Sequence, residues 1–230
     1  MATSKNAGKL VIFALVALIG GAAGFGYFTQ NAKMEDAPKP ATAATAEQKQ
    51  ILAPKPSDII LGDNNALVTI VEYSSLSCPH CAHFHQEILP ALDKEFITTG
   101  KVKMVLRHFP LNDPAIKASE VVECAGQNNL KRENFMKVLF EMQQQWAYND
   151  TYVKDLKQIA SVGGLDSATF DSCLADKGLE TRILTMRQEA ETKLQVSSTP
   201  TFYIDGEKYT GEPSVDGFRD AIKAALAGKK

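Results

Sequence analysis

The chain has 230 residues, enough for one or two domains, and its 44% hydrophobic and 23% charged residues make an ordinary globular composition. The formal net charge is −2 and no block of like charge interrupts it, so electrostatics gives no case for a nucleic-acid partner. Of the four cysteines, Cys78 and Cys81 form a C-x-x-C pair, whereas Cys124 and Cys173 lie far from it and from each other.

Lys5 and Lys9 precede an uncharged apolar stretch from Leu10 to Phe28. A spanning helix needs about 20 apolar residues, and a secretory signal core only about 7–15. Residues 1–28 are therefore expected to be an uncleaved signal anchor; the alternative is a signal peptide cut after Ala23. The flanking lysines predict a cytoplasmic N-terminus, and either reading exports the rest of the chain to a compartment where disulfides persist. Residues 29–56 are rich in Ala, Thr, Lys, Gln and Pro and show no apolar period, so they are expected to be an extended, flexible linker.

The folded domain is expected over residues 57–230. Leu67 to Tyr73 is a β-branched run bounded by Asp63-Asn64-Asn65 and predicts a buried strand. Pro79 to about Phe96 has helical spacing (Ala82, His85, Leu89, Leu92), with Pro90 predicted to kink or interrupt it. Val102 to Phe109 predicts a second strand, parallel to the first through a right-handed crossover. Residues 112–196 read as helical, with helix starts at Asp113-Pro114, Asn149-Asp150 and Asp166-Ser167. Thr201 to Ile204 predicts a strand, Asp205-Gly206 a two-residue hairpin turn into Glu207 to Tyr209, and Ser214 to Leu226 a closing helix. The order is strand, helix, strand, helical block, hairpin and helix, an α/β fold with a helical insertion.

Chemistry concentrates at Cys78-Pro79-His80-Cys81. Pro79 suits the first position of a helix, which puts Cys78 at the helix N-terminus, among unpaired N–H groups that favour a thiolate. A protonated His80 would add positive charge to the same spot, and Cys81, one turn in, should be more buried and less reactive. Whatever favours the thiolate favours the reduced pair, so the disulfide becomes a strong oxidant of other thiols. Cys78 is accordingly expected to form the mixed disulfide with substrate, and Cys81 to resolve it. Cys78, His80, Cys81, His83 and His85 are also metal-ligand types. One cluster on consecutive turns rarely closes a tetrahedron, however, and His108 is the only other histidine, so no metal is expected. His83 and His85 read as surface or packing residues on different faces.

Val71-Glu72-Tyr73 running into Cys78-Pro79-His80-Cys81, with Thr199-Pro200-Thr201 ahead of the last hairpin, resembles the thioredoxin superfamily. The Pro-His dipeptide, the helical insertion and the export signal resemble its DsbA branch, over about Ser57 to Leu226. The resemblance implies a thioredoxin-like fold with the helical insertion between a βαβ half and a C-terminal ββα half. It implies a cis bond before Pro200, packed beside Cys78, with the Thr199 backbone pairing with an extended substrate peptide. It implies that Glu72 is a buried acid assisting proton transfer near Cys81. No cofactor beyond the Cys78–Cys81 disulfide is implied. The partners implied are reduced exported proteins and a DsbB-like reoxidising protein, at the periplasmic face of the inner membrane.

One departure bears on direction. DsbA-like oxidases often carry Val before the cis proline, whereas Thr, as at Thr199, is usual in isomerase-type relatives. The region before Ser57 reads as anchor and linker, not as the dimerisation domain such isomerases carry. The expectation is a disulfide donor; the alternatives are an isomerase or reductase of the same fold, or a tethered metal-binding or chaperone-like module. In an exported domain Cys124 and Cys173 are expected to pair with each other, closing a loop of about 50 residues worth roughly 4 kcal/mol.

Overall fold

The computed structural model describes residues 44–229, so the apolar stretch 10–28 and most of the expected linker lie outside the described residues. The sheet has five strands: β1 (Ile59–Leu61), β2 (Val68–Ser74), β3 (Val102–His108), β4 (Thr201–Ile204) and β5 (Glu207–Lys208), in spatial order β1-β3-β2-β4-β5. β2 and β3 run parallel, with Val68 opposite Val102 and Ser74 opposite His108, and all other pairings are antiparallel. The parallel pair sits where both sheet faces are covered, which is why its strands are near-continuous apolar runs. β1 is a three-residue edge strand that the sequence reading leaves as loop, because three residues carry no readable period.

The crossover from β2 to β3 is one continuous helical run with two wide turns. α2 (Pro79–His83) passes into a π turn (Phe84–Ile88), then α3 (Leu89–Leu92), then a second π turn (Asp93–Ile97). Pro90 lies in the first turn of α3, where its missing N–H is tolerated, and the preceding π turn takes up the mismatch. The predicted kink is thus a change of helical pitch and not a break.

The helical block comprises α4 (Asp113–Glu123), α5 (Asn129–Glu141), α6 (Gln143–Trp146), α7 (Tyr152–Val162), α8 (Ser167–Leu174) and α9 (Lys177–Lys193), and α10 (Val215–Ala227) closes the chain. α4 is capped by Asn112, whose Oδ1 accepts from Ala115 N at 3.0 Å, so the cap lies one residue before the expected Asp113. α7 begins after Thr151 and not at Asn149-Asp150, because the Asn149 carboxamide is used in a local turn, accepting from Thr151 N. Asp166 and Ser214 cap α8 and α10 at the predicted starts. The β4–β5 turn is Asp205-Gly206, both at positive φ (50° and 90°), as a two-residue hairpin requires.

Side chains alternate across the sheet and fill two cores. Ile70, Met104, Leu106, Phe202 and Ile204 face one side with Phe84, Ile88, Leu92, Phe218 and much of the helical block. Val71, Tyr73, Val105 and Tyr203 face the other, against Ala190, Leu194 and α1 (Ala46–Leu52). α1 corrects the expected extended linker over its last residues: Thr45 and Gln48 form a reciprocal capping box, and Ile51 and Leu52 are buried in this second core. The composition hides it because a helix this short shows only two large apolar residues, Ile51 and Leu52.

A buried ion pair fastens that N-terminal segment. Arg107 on β3 directs all five of its N–H donors to acceptors: both Asp58 oxygens at 3.0 and 2.7 Å, the Ile51 and Ala53 carbonyls, and the Tyr73 hydroxyl. Arg132 on α5 holds the same stretch through the Ser57 and Asp58 carbonyls at 2.8 and 2.9 Å. Removing one partner of such a pair strands a desolvated charge. Asp58→Ala is therefore expected to lower unfolding free energy by about 3–5 kcal/mol in urea titrations; a loss under about 1 kcal/mol would show that the Arg107 network does not hold the fold.

Candidate active site

The site forms where β2 ends. Cys78 is the N-cap of α2, with extended backbone at φ −84° and ψ 122°, and Pro79 occupies the first helical position. The preceding turn is held from two sides. Cys78 N donates to Ser75 O at 3.0 Å. From the helical block, Gln143 Nε2 donates to the carbonyls of Leu76 at 2.7 Å and Cys78 at 3.0 Å, and the Tyr148 hydroxyl lies 3.0 Å from the Ser77 carbonyl. Gln143 is buried and Tyr148 exposed. Neither was legible from sequence, because a Gln in the run Gln143-Gln144-Gln145 and a lone Tyr carry no motif.

The bond between Thr199 and Pro200 is cis, and it brings the Thr199 carbonyl to 3.3 Å from the Cys78 sulfur, which donates to it as a thiol. The buried Thr199 hydroxyl has no partner in this state. It is placed to donate to the sulfur once the sulfur is a thiolate. Cys78 and Cys81 are both free, at 6% and 0% exposure.

The two sulfurs differ sharply. The Cys81 thiol donates to Cys78 and, with the Thr199 hydroxyl and the N–H groups of Cys81 and His80, holds the Cys78 pKa down to about 5 against the opposing effect of burial. Burial drives the Cys81 pKa well above the ordinary thiol value, reinforced by the hydrogen bond to Cys78 and by the charges of Glu72 and Cys78. Of His80, the backbone N–H serves the thiolate; its ring is exposed and lines a groove of about 390 Å³ beside Cys78, together with Phe84, Pro200, Phe202 and Tyr209.

Glu72 is fully buried on the sheet face that packs against α2. His85 Nε2 lies 3.2 and 3.0 Å from its two carboxylate oxygens, and the His85 ring stacks on Phe140 with centroids 4.4 Å apart. His85 is thus paired with a charge as well as packed, a pairing that residue spacing alone did not suggest, while His83 is exposed. His108 pairs with Glu123 at 3.1 Å, away from the cysteine pair. Cys124, at the end of α4, is joined in a disulfide to Cys173 on α8, within the helical block. Among the described residues no group of three or more His, Cys, Asp or Glu side chains is arranged to hold a metal ion.

A family model described as Thioredoxin matches residues 55–224. A Rickettsia felis protein provisionally named a protein-disulfide oxidoreductase is 34% identical over 175 residues, 76% of this chain; the chain spans 62% of that relative's length. The crystal structure of Wolbachia pipientis alpha-DsbA1 superposes with a TM-score of 0.74 at 29% identity, covering 79% of this chain and 97% of that one. Oxidised BdbD from Bacillus subtilis, at 22% identity and a TM-score of 0.68 over 75% of this chain and 94% of its own, shares the fold.

A thiol held at a pKa of about 5 in place of 9.0 stabilises the folded, reduced protein above the unfolded value, and that contribution is lost as pH falls through about 5. Alkylation of the reduced protein by iodoacetamide should therefore modify Cys78 alone, with a rate midpoint near pH 5, and leave Cys81 unmodified in the native state. A midpoint near the ordinary thiol value, or equal labelling of both sulfurs, would contradict this asymmetry.

Proposed function

Because the chain belongs to the thioredoxin family, we propose that it is a protein thiol–disulfide oxidoreductase that donates the Cys78–Cys81 disulfide to reduced proteins. The observation that carries this reading is the split between an acid-shifted sulfur at the N-cap of α2 and an alkaline-shifted one, at 0% exposure, three positions along the same helix. A substrate thiolate attacks Sγ of Cys78, and the pair's S–S bond breaks with its electrons leaving on Cys81. The substrate's second thiolate then attacks the mixed disulfide, and Cys78 departs as a thiolate that the surrounding N–H groups and the Thr199 hydroxyl stabilise. The low pKa makes Cys78 the better leaving group.

The groove beside Cys78 supports an extended peptide as the substrate form. Its floor is apolar, with Phe84, Phe202 and Tyr209, and the Thr199 backbone borders it next to the cis proline. Pairing of a peptide strand with that backbone would bring a substrate sulfur to Cys78. The relatives named as protein-disulfide oxidoreductases and DsbA proteins support the same class of substrate for this chain. In this reading the substrates are newly exported proteins, the domain stands at the periplasmic face on its N-terminal anchor, and a DsbB-like membrane protein reoxidises it. Thr199 favours a second reading, isomerase or reductase, since a hydroxyl near the sulfur serves reshuffling as well as donation.

The two readings differ in reduction potential. At pH 7, a Cys78 pKa of about 5 favours the reduced state by roughly 3 kcal/mol, on the order of 60 mV. Equilibration with glutathione buffers should give a potential more oxidising than the value of about −270 mV for thioredoxin, in the direction of the value of about −120 mV for DsbA. A value at the reducing end would sink the donor reading and favour the reductase.

A further inference from the structure

Exchange at this site needs a proton to reach and leave a sulfur that water does not. When the pair is reduced, Cys81 leaves as a thiolate and takes up a proton. When it is reoxidised, Cys81 gives that proton up as its sulfur attacks a mixed disulfide at Cys78, expelling the partner's thiolate. Cys81 is 0% exposed, and so is Glu72, the carboxylate whose charge it feels. Glu72 can exchange a proton with Cys81 only if it exchanges one with solvent, and the strand and helix around it leave it no opening of its own.

One contact leads outward. His85 Nε2 touches both Glu72 oxygens, at 3.2 and 3.0 Å, while the His85 side chain keeps 6% exposure. His85 lines a second groove, of about 370 Å³, with Leu89, Asp93, Glu133, Lys137 and Glu141. This groove shares no residue with the one beside Cys78. We infer that His85 is the proton relay of the site, carrying protons between Glu72 and solvent through this second groove while substrate closes the first.

The inference deepens the oxidoreductase reading and rests on it. The geometry suits the role because the two traffic routes are separate. A peptide lying over His80, Phe84 and Pro200 shuts water away from Cys78 but leaves the Asp93–Glu133–Glu141 groove open. The groups that face His85 are Glu72 from β2, Asp93 from the second π turn, and Glu133, Lys137 and Glu141 from α5. Acidic groups outnumber basic ones there. Burial raises the Asp93 and Glu133 carboxyl pKa, so the mouth of the groove carries further groups that hold and release protons. Stacking on Phe140 fixes the ring so that one nitrogen stays on Glu72.

The test separates the two sulfurs in time. Mixing the reduced full-length chain with oxidised glutathione gives a first phase, mixed-disulfide formation at Cys78, and a second, its resolution by Cys81. In His85→Ala the first phase should keep its wild-type rate and the second should slow by on the order of 100-fold. Added imidazole should restore much of the second phase, and its pH profile should change from the wild type's. His85→Gln, which keeps an N–H for Glu72 and guards against misfolding, should slow the second phase likewise without changing the equilibrium potential. A second phase at the wild-type rate, or one slowed but indifferent to imidazole and buffer concentration, would overturn the relay. An intact first phase and potential would in that case leave the oxidoreductase reading standing.

Discussion

A helix N-terminus laid against the end of a parallel strand gives two neighbouring sulfurs opposite electrostatic surroundings, and the chemistry of the site follows from that difference. Cys78 caps α2 and receives hydrogen bonds from the Cys81 thiol and from N–H groups of the first turn. Cys81, one turn deeper, is packed into the main core among the residues that join α2 to the sheet. The same covalent spacing therefore makes one sulfur a stabilised anion and the other a concealed thiol. A symmetric pair would let either sulfur hold the substrate, and each mixed disulfide would compete with the other. Here Cys78 keeps 6% exposure between the groove-lining His80 and Thr199 while Cys81 has none, so the order of bond making and breaking is set by burial.

The helical block serves this arrangement as more than bulk. In the turn that presents Cys78, Gln143 and Tyr148 supply donors to the carbonyls of Leu76, Ser77 and Cys78, the last of which also accepts the first α2 hydrogen bond from Ala82 N. A loop held this way keeps its shape while the sulfur changes between thiol, thiolate and disulfide. The Arg107 and Arg132 networks join β3 and α5 to the segment after α1. Between them these contacts tie the insertion to the sheet, and the Cys124–Cys173 disulfide fixes the insertion's own helices to each other.

Much of this was legible in the sequence because its signals were strong and local. β-branched runs gave β2, β3 and β4; Asp205-Gly206 gave the hairpin; Asp166 and Ser214 gave helix starts. C-x-x-C with Pro at the first helical position is enough to place Cys78 as the cap. What stayed hidden was short or long-range. α1 and β1 are too brief to show a period, although Thr45 and Gln48 carry the spacing of a capping box. The π turns around Pro90 are a compromise between a proline and an unbroken run, which composition cannot distinguish from a break. Gln143, Tyr148 and His85 act through partners 13 to 71 positions away, and such pairings exist only once the fold brings the elements together.

Glu72 and His85 add a further constraint. A polar pair beneath the sheet–helix interface is costly to desolvate, and apolar residues of similar volume would often give a core as stable or more so. Stability alone therefore does not account for a carboxylate at 0% exposure behind the reactive cysteines. The sheet makes the position inevitable once a polar group is wanted there. Residues alternate along β2, so Ile70, Glu72 and Ser74 share one face, and the face that packs on α2 is the face that meets Cys81. Ser74, whose hydroxyl has no hydrogen-bond partner of its own, is placed next to that sulfur and opposes the rise in its pKa. Two polar side chains at alternate positions, both turned toward the buried sulfur, sacrifice core packing at the one point where Cys81 must gain and lose a proton. The deeper half of the active site is thus built around the resolving sulfur as fully as the half beside the groove is built around the sulfur that forms the mixed disulfide.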